Sequence, residues 1–462
     1  MTKNDEKRDK KVHFVSLGCP KNLVDTEIML GALRKDGYEV CEDATRAETV
    51  VVNTCGFIED SKRESIEKIL EMAELKKSGR LKNLIVAGCL TQRYKDELVE
   101  SLPEADLFIG SGEFQNVSTI LQNRENGTKE KRFFNLPTYL QEESTPRVNS
   151  QGHRAYLKIS EGCKKRCAFC AIPVIRGNLQ SRKISAVVSE AKLLVAGGAK
   201  ELIVISHDFT DYGWDLRRKN AGENASDVTP AKESPYELLK ALSNESGAKW
   251  IRVLYLYPDG VTDELVKLIR ERENLVKYFD MPLQHINNQI LKAMNRRMTR
   301  EEIEASISRI RETLPEAVIR TQFIVGFPGE TEEQFEELIE FIKKQKFERV
   351  GCFKFSPEEQ TRAGAMSGQI DEATKERRYQ RLMSVQRKIS REKHAAMVGR
   401  ILPVIVEGVS DESELLLKAR TSQQAPDIDG LVYINDGRAN IGEIVNVKIT
   451  SSHDYDLVGR IV

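Results

Sequence analysis

Three short apolar runs, each ending at a cysteine and then giving way to helical periodicity, constrain this chain more than any other feature. Residues 12–17 (VHFVSL) lead into Gly18-Cys19-Pro20, residues 49–54 (TVVVNT) into Cys55-Gly56, and residues 83–87 (NLIVA) into Gly88-Cys89. Runs of this length and composition predict buried strands, and the stretches after them, such as 24–35, predict helices. Strand and helix in alternation predict a parallel, doubly wound sheet. In such a sheet the carboxyl ends of the strands share one edge, and ligands bind there. Three cysteines separated by 36 and 34 residues are therefore positioned to converge, although no local motif joins them.

At about 150 residues per domain, 462 residues leave room for three. A second strand-helix series begins near Ala155, with strands expected at 155–159, 201–206, 250–255, 277–281, 318–325 and 349–355. Helices are expected between them at 185–196, 262–272, 300–313 and 331–345. That rhythm predicts a complete or partial β/α barrel. The polar stretch 213–234 reads as a surface loop insertion, and 371–394 as a long charged helix. Short Val/Ile-rich runs at 401–406, 414–420, 430–434, 443–449 and 458–462 predict a small antiparallel β-barrel of the OB type. Few apolar residues occur over 122–150, which reads as a linker. The expectation is an α/β multidomain protein: a sheet domain at 12–127, a linker at 128–148, a core domain at 149–394 and a terminal barrel at 395–462.

Composition excludes several classes. With 40% hydrophobic and 31% charged residues and only 14 prolines, the chain is a folded protein rather than a disordered one. Its 71 basic and 71 acidic residues cancel, which argues against a protein whose main task is to coat nucleic acid. No apolar run reaches the roughly 18 residues a membrane span needs. The charged stretch Met1 to Lys11 lacks the apolar core of a signal peptide. A cytoplasmic location is expected, where the eight cysteines serve as ligands, catalysts or packing rather than disulfides.

Cys163, Cys167 and Cys170 form Cys-x-x-x-Cys-x-x-Cys. Three thiolates on one tight loop can hold three irons of a 4Fe-4S cubane and leave the fourth iron open to a substrate or cofactor. The alternative is a zinc site completed from elsewhere, although no second paired knuckle occurs. Cys19, Cys55 and Cys89 point to a second three-cysteine cluster by the same logic; the alternative is three independent core thiols. Cys41 and Cys352 occupy no comparable position and read as packing residues. The six histidines show no metal-ligand spacing.

The run Cys163 to Cys170, ending Cys167-Ala168-Phe169-Cys170, resembles the signature of radical S-adenosylmethionine enzymes. Ser16-Leu17-Gly18-Cys19-Pro20-Lys21-Asn22 with Cys55 and Cys89 resembles the first domain of the methylthiotransferases among them. The last segment, ending Tyr455-Asp456-Leu457-Val458-Gly459-Arg460, resembles their TRAM domain, so the likeness covers nearly the whole chain. Gly18 to Asn22, Met281-Pro282-Leu283-Gln284-His285 and Phe355-Ser356-Pro357-Glu358-Glu359 are similar to the branch that modifies an aspartate of small-subunit ribosomal protein S-twelve. Two positions depart from that group: Ser206-His207-Asp208 stands where Ala-Gln-Asp is usual, and Gln360 where glycine is common.

The resemblance implies two 4Fe-4S clusters, with Cys163, Cys167 and Cys170 holding one and Cys19, Cys55 and Cys89 the other. It implies S-adenosylmethionine both as methyl donor and as the source of a 5′-deoxyadenosyl radical. That radical takes hydrogen from the β-carbon of the aspartate, a position too weakly acidic for a base at neutral pH. Phe169, His207, Asp208 and Gly326 are implied to border the cofactor; no catalytic residue beyond the cluster ligands is assigned. The implied partners are the basic ribosomal protein and an electron donor such as flavodoxin or ferredoxin, with no membrane and no stable nucleic-acid binding. Residues 395–462 carry six basic and ten acidic side chains, a balance that suits a basic protein better than phosphate. The competing readings are a methylthiotransferase for a tRNA adenosine and a non-enzymatic iron–sulfur carrier.

Overall fold

A computed structural model of the chain describes residues 10–137, 145–220 and 233–462. They pack as two compact units, one comprising residues up to Ser150 with 158–166 and 170–187, the other 151–157, 167–169 and 188–462.

The first unit is built on six parallel strands: β1 (Lys11–Ser16), β2 (Glu39–Val40), β3 (Thr49–Thr54), β4 (Asn83–Gly88), β5 (Leu107–Gly110) and β6 (Arg132–Phe133), in spatial order β2-β1-β3-β4-β5-β6. Helices α1 (Pro20–Lys35), α2 (Glu59–Lys77), α3 (Cys89–Ser101) and α4 (Val117–Glu125) supply the crossovers. Every residue of β3 is buried, as a central parallel strand covered on both faces requires. The order reverses direction at β1, so this is the doubly wound sheet expected. The segment read as a linker is docked over its described part. Arg132 and Phe133 add the sixth strand, and Arg147 forms a buried pair with Glu27 at 2.6 Å. The rest of that segment, 138–144, lies outside the described residues, as does 221–232 of the expected insertion. The short ladder β8 (Ser160–Glu161) with β9 (Gln180–Ser181) and helix α5 (Ile172–Arg176) also belong here.

Among the described residues the second unit contains six barrel strands: β7 (Arg154–Lys158, whose last residue falls in the first unit), β10 (Glu201–Ile205), β11 (Trp250–Val253), β12 (Tyr278–Asp280), β13 (Val318–Val325) and β14 (Arg349–Lys354). They form two three-stranded sheets, β11-β10-β7 and β12-β13-β14, linked by an Ile251–Leu275 bridge. Among the described residues this is a partial barrel, six strands against the eight of a closed one. Its helices are α6 (Ile184–Ala196), α7 (Trp214–Asn220), α8 (Pro235–Glu245), α9 (Asp263–Glu271), α10 (Asn288–Ala293), α11 (Arg300–Thr313) and α12 (Glu332–Gln345). Capping boxes of Thr299 with Glu302 and of Thr331 with Gln334 fix where α11 and α12 begin. The charged helix α13 (Glu372–Ala395) leads to a closed barrel of β15 (Ile401–Val409), β16 (Leu417–Thr421), β17 (Val432–Asp436), β18 (Ile444–Ser452) and β19 (Leu457–Ile461). Four of its strand pairs are antiparallel and β17–β19 is parallel. An odd number of strands cannot close in strict alternation, so one parallel pair is required.

Buried ions bind the small barrel to the starting ends of the partial-barrel strands. Glu201, fully buried at the start of β10, accepts from Arg252 at 2.8 Å and from Arg420 of β16 at 2.6 Å. Arg420 also donates to Glu407 of β15 at 2.8 Å. Arg154 and Tyr156 reach Asp427, and Tyr278 donates to Asp429 at 2.6 Å. Burial would raise the Glu407 carboxyl, but the His153 hydrogen bond and the charges of Arg420 and Arg154 hold it down to about 2.

Removing one partner from a buried ionic set leaves an uncompensated charge, so Arg420→Met is expected to destabilise the second unit by ~3–5 kcal/mol in urea unfolding. Because the Glu407 carboxyl is depressed in the fold, its contribution is complete above the ordinary value of 4.5 and declines as pH falls toward about 2. Melting temperature followed over that window should drop less in Glu407→Gln than in the unaltered chain.

Candidate metal and cofactor site

Strands β1, β3 and β4 are neighbours in register. Ser16 lies beside Asn53, Asn53 beside Ala87, and Thr54 beside Gly88. A cysteine follows each strand end: Cys19 caps α1, Cys55 follows β3 directly, and Cys89 opens α3. The pairing thus carries three thiols to one sheet edge. Gly18 has φ +87°, and a methyl group there would lie 2.7 Å from Cys55 Cβ and 3.1 Å from its sulfur. Only bare backbone allows that approach.

Burial raises the Cys55 thiol. Burial pushes the Cys89 thiol up to about 12; Arg176 opposes the rise, and the nearby Cys19 and Cys55 add to it. Cys89 is buried, Cys55 half-buried and Cys19 exposed; three thiolates brought this close need added positive charge to coexist, which bound iron would supply. Two of the cysteines also sit at helix N-termini, which favour the thiolate. Among the described residues, no three Cys, His, Asp or Glu side chains meet as the ligands of one metal ion do. Three cysteine sulfurs at one sheet edge are the donor type that an iron–sulfur cluster would take.

A charged network stands beside these thiols within the same unit. Arg176, 1% exposed at the end of α5, donates to Asp25 at 2.6 Å, to Asn22 at 2.6 Å and to the Cys89 sulfur at 3.2 Å. Lys158 bridges Asp25 at 2.5 Å and Glu161 at 2.9 Å. Burial alone would lower its ammonium, but the two carboxylates more than reverse this and hold it above the ordinary value.

Of the second cysteine set, Cys163 and Cys170 lie in the first unit and Cys167 in the second. The Cys163 amide donates to Gly177 at 3.2 Å, and Arg166 donates to the Cys163 carbonyl at 2.7 Å. In the second unit, Arg296 stacks on Tyr257 at 4.3 Å, donates to the Pro282 carbonyl at 2.6 Å and has Nη1 3.9 Å from the Cys167 sulfur. The Ala168 amide donates to Met294 and its carbonyl accepts from Ala363. Phe169 packs, half-buried, against Ala168, Met294, Ile324, Phe327 and Phe355.

The carboxyl ends of the partial-barrel strands carry the remaining expected positions. Asp208 follows β10 and accepts from the Thr210 amide at 2.9 Å and hydroxyl at 2.6 Å; His207 beside it is half-buried. Gly326 follows β13 with φ +74°, and the group lying where its side chain would be is Lys375 Cγ, 2.3 Å from an ideal Cβ. Glu330, buried, fixes that turn by accepting from the Gly326 amide, from Arg378 at 2.8 Å and from His285 at 3.1 Å. The Asn287 amide donates to the other His285 nitrogen at 3.0 Å. Tyr255 and Gln284, at the ends of β11 and β12, have φ of +63° and +73°. Non-glycine residues hold such angles at a cost of ~1–3 kcal/mol each, and they gather at functional sites. Gln360, standing where glycine is common, has φ +62°, which accounts for the usual glycine. Of the two cysteines read as packing, Cys352 is buried and Cys41 packs against the core of the first unit.

Sequence reading named the six cysteines and Phe169, His207, Asp208 and Gly326 as site positions, with Glu330 inside the stretch 324–330 read as bordering the cofactor, but gave no role to Arg176, Lys158, Glu161 or Arg296. The signal for Arg176 was present: a lone cation inside Ile172-Pro173-Val174-Ile175-Arg176-Gly177, six residues after Cys170.

Family models match the chain in three stretches: uncharacterized protein family UPF0004 over residues 11–110, the radical SAM superfamily over 157–342 and the TRAM domain over 398–462. Among solved structures, the radical S-adenosylmethionine methyltransferase TsrM from Kitasatospora setae superposes with a TM-score of 0.54 at 16% identity, covering 77% of this chain and 75% of that one, a likeness of fold. Fold and sequence thus define a radical S-adenosylmethionine enzyme with a TRAM barrel. Ribosomal protein uS12 methylthiotransferase RimO of Bdellovibrio bacteriovorus is 67% identical over 461 residues, covering 100% of this chain and 99% of its own. RimO of Geobacter sulfurreducens is 46% identical over 453 residues, covering 98% of each. The chain belongs to the RimO family of methylthiotransferases.

Gly18→Ala is expected to cost ~1–2 kcal/mol from its left-handed backbone alone. It should also force Cys55 aside, so that Cys55 in the metal-free protein alkylates faster than in the unaltered chain, read peptide by peptide by mass spectrometry.

Proposed function

We propose that this chain attaches a methylthio group to the β-carbon of an aspartate in ribosomal protein uS12. The observation that carries the reading is the set of three strand-end cysteines, Cys19, Cys55 and Cys89, in a chain that also carries Cys163, Cys167 and Cys170. In this reading each set holds a 4Fe-4S cluster through three thiolates, leaving one iron open in each. When bound, the clusters and S-adenosylmethionine supply one-electron cleavage chemistry, a methyl group and sulfur.

The chain's own residues supply placement. Phe169, with the buried Phe327 and Phe355, offers an apolar wall that keeps water from a reactive carbon centre. His207, Asp208 and Gly326 border the cofactor. Asp208 is held by its bonds to Thr210, and Gly326 by the Glu330 carboxylate, so both present preset backbone. The division of labour follows the expected domains: 12–127 for the sulfur-bearing cluster, 149–394 for the radical chemistry, and 395–462 for docking, with 128–148 joining the first two.

Charge supports a protein substrate over a tRNA adenosine. With Arg420, Glu407 and Asp429 held in the buried ionic set, acidic side chains still outnumber basic ones on the rest of the terminal barrel. Complementary charge speeds and orients encounter with a basic ribosomal protein. The proposal includes a small electron donor such as flavodoxin or ferredoxin, no stable nucleic-acid complex and a cytoplasmic location. Among the described residues no helix is long and apolar enough to cross a membrane.

The test is mass spectrometry of uS12 after anaerobic incubation with reconstituted protein, S-adenosylmethionine, sulfide and a reductant. A methylthio group gained on aspartate, and lost in both Cys19→Ala and Cys163→Ala, is expected. Production of 5′-deoxyadenosine with no modified uS12 would overturn the substrate and leave the radical chemistry.

A further inference from the structure

Arg176 invites a question the proposed reaction does not answer. Its guanidinium is 1% exposed, and burying it requires Asp25 at 2.6 Å and Glu161 at 3.4 Å, both also bonded to Lys158. Two buried cations and two buried carboxylates cancel, so the set does not simply balance the charge of the thiolates. A guanidinium, however, fans its donors in fixed directions. Here Nη1 is taken by the carboxylates, and Nη2 points at Asn22 Oδ1 and at the Cys89 sulfur, 3.2 Å away. Asn22 is itself held, donating to the Thr54 carbonyl at 2.8 Å and the Leu17 carbonyl at 3.1 Å. The donor is therefore aimed at the sulfur by neighbours on both sides.

We propose that Arg176 is a positioning residue that raises the reduction potential of the cluster held by Cys19, Cys55 and Cys89, through its hydrogen bond to the Cys89 sulfur. The inference rests on the ligand assignment made above. Hydrogen bonds to ligand sulfur and nearby positive charge favour the more negative, reduced state of a cluster. The chemistry gives such tuning a use. In the proposed reaction, joining a carbon radical to a methylthiolate sulfur would make one carbon–sulfur bond, break one iron–sulfur bond and leave one electron over, which a cluster held by Cys19, Cys55 and Cys89 would take up. A higher potential eases that transfer. Asp25 acts in the opposite sense, since its carboxylate partly cancels the charge that Arg176 presents.

The test uses the full-length chain with Cys163, Cys167 and Cys170 all changed to Ala, reconstituted with iron and sulfide and titrated for midpoint potential by electron paramagnetic resonance. Arg176→Met should move the potential down and Asp25→Asn, an isosteric change, should move it up. Each shift is expected to be on the order of a tenfold change in the reduction equilibrium, ~59 mV for one electron. Opposite signs would not arise from general loosening of the site. If both variants keep their iron and the potential stays put, or both move it the same way, the inference is overturned. Should Arg176→Met fail to hold a cluster, Asp25→Asn decides alone, and no upward shift overturns it. If the parent chain binds no iron at all, the ligand assignment fails and the inference falls with it.

Discussion

Parallel pairing of β1, β3 and β4 in register is the constraint on which the candidate site of the first unit depends. A one-residue slip would turn every side chain of a strand to the opposite face, and would also move one cysteine along the edge relative to the other two. All six residues of β3 are buried, so no solvent face is left to specify the register, and buried polar ties must help to fix it. Asn53 reinforces it, its side chain donating to the Asn22 carbonyl and to Thr26 at 2.9 Å each, which ties the middle strand end to the helix that Cys19 begins.

Much of this architecture was legible because it rests on periodicity. Strand ends followed by Gly or Cys gave the first sheet. The alternation after Ala155 gave the partial barrel, with the eight residues of β13 found where they were expected. What the pattern could not give was which charges would meet inside. Glu201 and Arg420 are 219 residues apart, Arg176 and Asp25 are 151 apart, and Glu330 and Arg378 are 48 apart. No local rule joins such pairs, and composition counts each member as a solvated surface charge. The docked part of the segment read as a linker escaped for a related reason. A two-residue edge strand, Arg132–Phe133, is too short to show a period.

Burying this many ions is costly, and a hydrophobic replacement set would often be as stable. What ions offer instead is direction. Arg420 can satisfy Glu201 and Glu407 together only in one orientation of the small barrel against β10 and β11. Glu330 can accept from Gly326, Arg378 and His285 only with the Gly326 turn in its left-handed form. Each set converts a loose hydrophobic association into a single geometry.

The two ends of the partial-barrel strands have been given opposite tasks. At the starting ends lie Glu201, Arg154 and Tyr278, engaged with the terminal barrel and serving stability. At the finishing ends lie the left-handed backbones of Tyr255, Gln284 and Gly326, each of which costs free energy or demands glycine. In a β/α barrel, loops at the carboxyl end carry the chemistry and the opposite end carries the fold. Strain is tolerable at one end because the ionic set at the other fixes the strands against it. Asp280 illustrates the coupling on a single side chain: one oxygen holds Arg320 at 2.6 Å in the strand interior, and the other accepts from the amide of the strained Tyr255 at 3.0 Å. A change at that carboxylate would therefore reach the finishing end of β11 through one hydrogen bond, without disturbing any apolar contact.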